Sequence, residues 1–240
     1  MINMGSRKEL FYKNLIIDEE DKPLAERFLA SKGVEKHIIL KEKLFNWIEG
    51  DKIEYSMIAS TYRYDKRLRL ILFKYISYLE EFYRAVIFDA YRFFAQKINW
   101  IDEVKEVLDE FKGDLNDALE RMEFSTLLKQ ADQLSPKVRK RFLFPRSRYH
   151  KENSFALKEL RNAVMHNKFL LFYRGFEPCY IDGVDDGTKS GLRANILNLI
   201  GFLPNEVAEK CRQEVNAAKE EKSMHQGTKW NLPPFVAIQL

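Results

Sequence analysis

The segment from residue 64 to residue 96 constrains the fold more than any other part of the chain. It reads YDKRLRLILFKYISYLEEFYRAVIFDAYRFFAQ and contains neither glycine nor proline. Its apolar residues recur at spacings of three, four and seven: Leu68, Leu72, Tyr75, Leu79, Phe82, Val86 and Phe93. This is the repeat of a helix with one apolar face. The segment therefore predicts one long helix that runs through the middle of the fold.

Shorter helical segments fill most of the remaining chain. Residues 50–62 are expected to form a loop or a short irregular element, and residues 174–191 a loop or a hairpin. Asp21 and Asn153 are predicted helix N-caps. Because strands and helices do not alternate, the sequence predicts an all-α fold rather than a doubly wound sheet. The other predicted helices cover 21–32, 34–48, 101–112, 114–131, 154–173, 192–202 and 205–222, with a short basic helix that begins at Ser135 and Pro136 and ends at Pro145.

The chain is expected to divide into three parts. Residues 1–62 form an N-terminal helical extension, and residues 63–222 form the main helical domain. Residues 223–240 form a C-terminal tail that ends in the irregular stretch GTKWNLPPFVAIQL.

Composition and charge bound what the protein can do. Apolar residues make up 45% of the 240, which is enough for a packed core, and the net charge of +4 permits an anionic partner without requiring one. The two cysteines, Cys179 and Cys211, form neither a metal motif nor a disulfide framework and are interpreted as packing residues. A reducing, cytoplasmic location is therefore expected. The start, MINMGSRKEL, lacks an apolar signal region, and no uncharged apolar stretch reaches the roughly 18 residues of a membrane span.

Residues 159–168, ELRNAVMHNK, place an arginine, an amide and a histidine inside an otherwise apolar helical run. Asn162 and His166 are four residues apart and therefore lie on one helical face. Arg161 and His166 are five residues apart, which is roughly 140° in projection, so their positions alone do not bring them together. The length of the arginine side chain, or a second copy of the helix, can close this gap.

These residue types suit cleavage of RNA without a metal ion. Histidine titrates near neutrality and can transfer protons, and the arginine fork binds phosphate oxygens. In such a reaction a base takes the proton of the ribose 2′-OH, which attacks the adjacent phosphate, and a cation stabilises the charge that develops. The alternative interpretation is an exposed polar edge, or a buried histidine with a hydrogen-bond partner.

No metal site and no cofactor are predicted. His37, His150 and His225 have no partner residues at the spacing of metal ligands, and no acidic cluster accompanies the motif. A metal-dependent nuclease is therefore the weaker interpretation.

The motif resembles a known signature. RNAVMH fits the Arg-Asn-x-x-x-His pattern of HEPN domains, which are helical bundles, and the upstream segment resembles the Abi-like branch of abortive-infection proteins. That branch has an Asp-(Arg/Lys)-x-Leu-Arg element and an aliphatic-Glu-x-x-x-Arg helix. The matching residues are Tyr64, Asp65, Lys66, Leu68, Arg69, Leu79, Glu80 and Arg84, and then Glu159, Leu160, Arg161, Asn162, His166 and Asn167. The resemblance covers roughly residues 20–202. It implies a HEPN-like helical bundle with additional N- and C-terminal helices.

The resemblance also implies an endoribonuclease that acts in phage defence, by abortive infection, or as a toxin. Two protomers would place their motif helices face to face, so that a homodimer forms one composite active site. Arg161 would bind the scissile phosphate, His166 would transfer protons, and Asn162 would orient them. The products would be a 2′,3′-cyclic phosphate and a 5′-hydroxyl. An inhibitory RNA or an antitoxin protein is a further partner to consider.

A basic segment directly precedes the motif helix. It has no acidic residue between 137 and 151, and aromatic residues are interleaved with its cations. Cations neutralise phosphates and aromatic rings stack on bases, so the segment predicts contact with RNA. The alternative is that Phe142 and Phe144 belong to the core and the cations are only solvated. The predicted RNA-binding residues are Lys137, Arg139, Lys140, Arg141, Arg146, Arg148 and Lys151, together with Asn167 from the resemblance.

Glu80 and Arg84 lie four residues apart on the long helix. This spacing predicts an ordinary stabilising ion pair. In the family that the chain resembles, both residues would face inward and support the motif helix.

Three other functions stay open. The first alternative is a catalytically inactive HEPN module that binds RNA as a scaffold or regulator. A HEPN toxin silenced by a nucleotidyltransferase is a second alternative, but such toxins typically carry a tyrosine where this chain has Lys168. The third is a structural helical adaptor, in which Arg161 and His166 make contacts within the protein.

Overall fold

A computed structural model describes residues 4–93, 99–142, 149–181, 191–220 and 228–240. The described residues are mostly helical, which confirms the predicted all-α class. Two short parallel strands, β1 (Leu15–Ile16) and β2 (Ile53–Glu54), are paired with each other. None of the described helices is both long and apolar enough to cross a membrane. The α-helices are α1 (Met4–Tyr12), α2 (Lys22–Lys32), α3 (Val34–Phe45), α4 (Tyr55–Phe93), α5 (Asp102–Glu110), α6 (Leu115–Arg121), α7 (Phe124–Gln133), α8 (Pro136–Phe142), α9 (His150–Met165), α10 (Leu192–Phe202) and α11 (Asn205–Ala217).

The long helix α4 confirms the strongest sequence prediction, but it begins earlier than predicted. It starts at Tyr55, so most of the predicted loop over 50–62 is wrong. The apolar repeat is hidden there because Ser60 and Thr61 are fully buried in the positions of core residues. The Thr61 hydroxyl donates a hydrogen bond to the carbonyl of Met57 at 2.8 Å, which satisfies it inside the helix.

One stripe of α4 is buried along most of its length. Full burial of an aliphatic side chain contributes about 1.5–3 kcal/mol, so this stripe is a large part of the core. Phe93, which was predicted to belong to the stripe, is instead 76% exposed. The fully buried aliphatic residues of α4 are Ile58, Leu68, Leu72, Ile76, Leu79 and Ile87.

The helix predicted over 114–131 is in fact two helices, α6 and α7. Met122 and Glu123 adopt extended backbone conformations between them. This bend allows Met122 and Phe124 both to be buried, which a continuous helix would not. Asp114 precedes α6, and its carboxylate accepts hydrogen bonds from the first N–H groups of the helix.

The other predicted helices are present with shifted ends. Helices α2, α5, α8 and α10 begin within one residue of the prediction. Helix α3 ends at Phe45 rather than at residue 48, and α11 ends at Ala217. Pro145, the predicted end of α8, lies outside the described residues. Helix α1 and the two strands have no counterpart in the prediction.

The chain divides into two compact units. The first consists of Met1–Leu68 and Asn216–Gln239, and the second consists of Arg69–Val215 and Leu240. The three-part division into domains stays a prediction.

In the first unit, a buried lysine closes α1. The Lys41 ammonium donates hydrogen bonds to the carbonyls of Leu10, Phe11 and Lys13, at 2.7, 3.0 and 2.9 Å. The last carbonyls of a helix have no partner within it, so these bonds satisfy groups that would otherwise be unpaired.

The C-terminal tail also packs in the first unit. The guanidinium groups of Arg63 and Arg67 lie over the ring of Trp230, at 5.2 and 4.5 Å from its centroid. The N–H of Ile238 donates to the hydroxyl of Tyr64 at 2.8 Å. These contacts attach the tail to the first part of α4.

In the second unit, α9 is held by its N-terminal half. The Asn153 amide accepts a hydrogen bond from the N–H of Tyr180 and donates one to the carbonyl of Tyr180, both at 2.8 Å. The Asn198 amide donates to the carbonyl of Asn153 at 2.8 Å. The prediction that Asn153 caps the helix is therefore wrong. The helix begins at His150, and Asn153 uses its amide for a tertiary contact.

Both cysteines are fully buried free thiols. Burial raises the pKa of Cys179 to about 11 and the pKa of Cys211 to about 12. The thiols therefore stay protonated near neutrality, which fits their interpretation as packing residues.

Candidate functional site

The predicted motif lies at the C-terminal end of α9. Arg161 and Asn162 belong to its last turns and are half-buried, whereas His166 follows the last helical residue, Met165, and is exposed. The prediction that this helix continues to residue 173 is wrong. The histidine therefore sits at a helix end.

The backbone after His166 explains why α9 stops there. Asn167 has φ 52°, in the left-handed region, where asparagine is one of the few residues tolerated besides glycine. The N–H of Lys168 donates to the carbonyl of Ala163 at 2.9 Å, and the N–H of Asn167 donates to that of Val164 at 3.1 Å. This pair of hydrogen bonds is a Schellman motif, which closes the helix.

Arg161 is joined to α4 by an ion pair. Its Nε donates to Oε1 of Glu80 at 3.1 Å, with side-chain exposures of 30% and 13%. Among the described residues, the two terminal nitrogens of Arg161 have no hydrogen-bond partner. Glu80 thus holds the guanidinium of Arg161 at its Nε.

The predicted ion pair of Glu80 and Arg84 is present, but its distance is longer than that between Glu80 and Arg161. Arg84 Nη2 lies 3.7 Å from Glu80 Oε2. The Nε of Arg84 donates to the carbonyl of Leu119, at the end of α6, at 2.9 Å. Both supporting residues therefore connect α4 to neighbouring helices, Glu80 to α9 and Arg84 to α6.

Asn162 and His166 are close along the chain, but their side chains are not hydrogen-bonded to each other. The Asn162 amide donates to Oε1 of Glu159 at 3.4 Å. The imidazole of His166 has no hydrogen-bond partner among the described residues. Only their backbones are joined, by the N–H of His166 and the carbonyl of Asn162 at 3.0 Å.

Arg69 is a neighbour of the motif that was not predicted as a site residue. Its Nη1 donates to Oδ1 of Asn167 at 3.2 Å, across 98 residues of sequence. The sequence offered one signal, because Arg69 belongs to the Asp-Lys-x-Leu-Arg element of the resemblance. A contact between distant segments was needed to connect it with the site.

The basic segment is described only in part. Lys137, Lys140 and Lys151 are exposed, and Arg139 Nη1 donates to the carbonyl of Asp132 at 2.9 Å. Lys151 precedes His166 by 15 residues of α9, about 22 Å along the helix axis. Lys151 is thus at the other end of α9 from His166. Three predicted contacts, the side chains of Arg141, Arg146 and Arg148, lie outside the described residues.

The other described histidines have partners of their own. His37 Nδ1 donates to the carbonyl of Gly33 at 2.9 Å, and His150 Nε2 lies 2.8 Å from Oδ1 of Asp132. Within the described ranges, no three His, Cys, Asp or Glu side chains come close enough to hold a metal ion. His166 differs from both histidines because its ring is exposed and unpartnered there.

Comparisons of the chain with protein-family models, with curated proteins and with solved structures gave no match.

Proposed function

We propose that the protein is a metal-independent endoribonuclease of the HEPN type that acts in phage defence, by abortive infection, or as a toxin. One observation carries the proposal. An exposed histidine stands at the end of α9, five residues after an arginine whose guanidinium is held by one edge on Glu80. A proton-transfer group and an oriented cation are the two groups that metal-free cleavage of RNA requires.

The reaction is transesterification followed by release of the 5′ fragment. The ribose 2′-oxygen forms a bond to phosphorus, and the bond from phosphorus to the 5′-oxygen breaks. The 2′-OH loses its proton to a base, and the leaving 5′-oxygen gains a proton. His166 carries out proton transfer, while the terminal nitrogens of Arg161 bind the phosphate oxygens. The products are a 2′,3′-cyclic phosphate and a 5′-hydroxyl.

Asn162 has an orienting role in this proposal. Its amide lies one turn before His166, on the same face of α9. The hydrogen bond that it makes to Glu159 is long, at 3.4 Å, and is easily exchanged for one to RNA or to an imidazole.

A homodimer would complete the site. Large apolar side chains are exposed on both helices that carry it: Leu70 and Phe73 on α4, at 61% and 49%, and Phe155 on α9, at 50%. By helical repeat, Phe155 lies within about 20° of Asn162. Exposed apolar groups on the face of the motif favour a second copy as their cover, because that copy would also bring the second Arg161 and His166 that a composite site needs.

The exposed lysines near the start of α9 give RNA a path away from the site. Lys137, Lys140 and Lys151 are close in sequence and exposed. Tyr149, two residues before Lys151 in the sequence, stacks on Tyr180 with ring centroids 3.8 Å apart. Cations and aromatic rings together suit a single strand whose bases are unpaired.

The ion pair of Arg161 favours one second candidate. A guanidinium engaged by Glu80 also fits a catalytically inactive HEPN module that binds RNA, in which Arg161 serves to hold α4 and α9 together. Such a module would bind RNA without cutting it, and a change at Arg161 would weaken the binding of RNA alone. This result would distinguish the module from the enzyme.

Cleavage of total RNA in the presence of EDTA tests the proposal. We expect the wild-type protein to cut RNA without divalent ions, and His166→Ala to reduce the rate by about 100-fold or more, as for other general acids and bases. Mass spectrometry of the products should find cyclic phosphate ends.

His150→Gln is the matched control, because it changes the histidine at the opposite end of α9. It should still cut RNA, since His150 is paired with Asp132. Equal cleavage by the wild type and His166→Ala would contradict the proposal, and binding without cleavage by all three proteins would support the inactive module.

A further inference from the structure

The site contains a second cation, on α4, that joins the turn carrying His166. We infer that Arg69 is a positioning residue of the proposed site, which acts through Asn167 to hold that turn against α4. The inference rests on the proposed function for its effect on catalysis, but its structural half can be tested without any activity.

The turn after α9 depends on Asn167 in two ways. Its backbone, with φ 52°, allows the two hydrogen bonds that close the helix. Its side-chain oxygen accepts the hydrogen bond from Arg69 Nη1 at 3.2 Å. Since His166 is the residue directly before Asn167, movement of Asn167 would move the imidazole as well.

Arg69 and Glu80 hold the motif at two points. They are eleven residues apart on α4, which is close to three helical turns, so they lie within about 20° on the same face and about 16 Å apart along the axis. Glu80 contacts Arg161, and Arg69 contacts Asn167. One rigid helix therefore sets the positions of both the guanidinium and the imidazole of the proposed reaction.

The charges at this contact agree with its geometry. The C-terminal end of a helix carries partial negative charge on its last carbonyls, and a cation is favourable there. Arg69 brings its guanidinium to the end of α9 by its hydrogen bond to Asn167. The contact is thus favoured by the helix dipole as well as by the amide.

The kinetic test is a double-mutant cycle between Arg69 and Asn167. Asn167→Gly keeps the left-handed backbone and removes only the side-chain acceptor. We expect Arg69→Gln and Asn167→Gly each to lower kcat about 10-fold, since small displacements of a reacting group are costly. KM should change less than about twofold, and the double variant should also be about 10-fold slower, not about 100-fold.

Two further variants test the assignment. Arg69→Lys keeps a positive charge and an N–H donor. Because the contact with Asn167 uses one nitrogen of Arg69, kcat of this variant should stay within about threefold of the wild type. Lys66→Gln removes an exposed charge one turn earlier on α4 and should leave kcat unchanged. Additive losses in the double variant, or a change in KM alone, would mean that Arg69 contacts RNA directly and would overturn the inference.

Amide hydrogen exchange in the free protein tests whether Arg69 holds the turn after α9. Arg69→Gln should speed exchange at the N–H groups of Asn167 and Lys168 by about 10-fold, whereas Lys66→Gln should not. Unchanged exchange in Arg69→Gln would overturn the inference whether or not the protein cuts RNA. If His166→Ala cuts as well as the wild type, the proposed function fails, while faster exchange in Arg69→Gln would still support the connection of the turn to α4.

Discussion

Each end of α9 carries a histidine and an asparagine, but their surroundings are opposite. At the N-terminal end, His150 is paired with Asp132, and Asn153 is bonded on both sides to the backbone of Tyr180. At the C-terminal end, His166 is exposed and has no hydrogen-bond partner among the described residues. A histidine thus serves as an anchor at one end of α9 and stays accessible at the other.

The difference teaches that tight anchoring and an accessible side chain are separated along one helix. A site works only if its groups are held in place, and holding them uses up hydrogen-bonding capacity. Here the N-terminal half of α9 supplies most of that holding. The C-terminal end is joined to α4 by two polar side-chain contacts, from Glu80 and Arg69, that leave the imidazole of His166 accessible.

Exchanging an anchor for alanine should break this contrast most strongly. Asn153→Ala removes two hydrogen bonds and leaves the N–H and carbonyl of Tyr180 unpaired in a half-buried setting. We expect it to lower the free energy of unfolding by about 2–4 kcal/mol, because each unpaired buried group costs about 1–3 kcal/mol. Chemical denaturation monitored by circular dichroism measures this difference.

The matched control is Asn162→Ala, which changes the same residue type on the same helix. Its amide makes one long hydrogen bond, so the loss should stay within about 0.5 kcal/mol. If both variants were equally destabilised, the two ends of α9 would not differ in the way proposed here.

Removing the charge of Glu80 should have a smaller effect on stability. Glu80→Gln replaces an ion pair with a neutral hydrogen bond to a half-buried arginine, and we expect a loss of about 1 kcal/mol in the free energy of unfolding. Glu81→Gln, at the next, exposed position of α4, should change stability by less than about 0.5 kcal/mol. Indistinguishable variants would mean that the pair of Glu80 and Arg161 adds nothing to the union of α4 and α9.

The free energy of unfolding should depend on pH through His37, a buried histidine with a packing role. Burial lowers the pKa of His37, although its hydrogen bond to the carbonyl of Gly33 acts in the opposite direction. The ring also stacks on Tyr62, with centroids 5.6 Å apart. Below the ordinary pKa of about 6.5, the unfolded chain takes up a proton that the folded protein resists.

The free energy of unfolding should therefore fall as the pH drops from about 6.5 towards the lowered pKa of His37. His37→Gln should reduce the change of the free energy of unfolding with pH. Its free energy of unfolding near pH 8 gives the loss of packing alone. Urea unfolding at several pH values measures both quantities. An unchanged slope in the variant would mean that His37 is not its source.

Periodicity predicted the helices well where the core consists of large apolar residues. It located α4 from its run of leucines, but it missed the first turns because Ser60 and Thr61 are buried in core positions. It also joined α6 and α7, because a pattern of apolar residues does not reveal a two-residue bend at Met122 and Glu123. Tertiary packing decides such features.

The site shows the same division between local and long-range information. The residue types of the motif and its resemblance singled out Arg161, Asn162 and His166 as candidate site residues. Spacing predicted the pair of Glu80 with Arg84. It did not predict that Glu80 would contact Arg161 more closely than Arg84, since that contact joins residues 81 apart in sequence. One local signal was missed. Asparagine is a common residue just after a helix, so Asn167 could have predicted the end of α9.

The two buried thiols have a practical consequence for spectroscopy on this protein. The chain has two cysteines, and both are shielded from solvent and protonated near neutrality. A maleimide probe added to the native fold would therefore react selectively with a cysteine introduced on the surface, for example in Lys168→Cys. Spin labels attached there would test whether two copies of the chain associate through the ends of α9, without any need to remove the natural thiols.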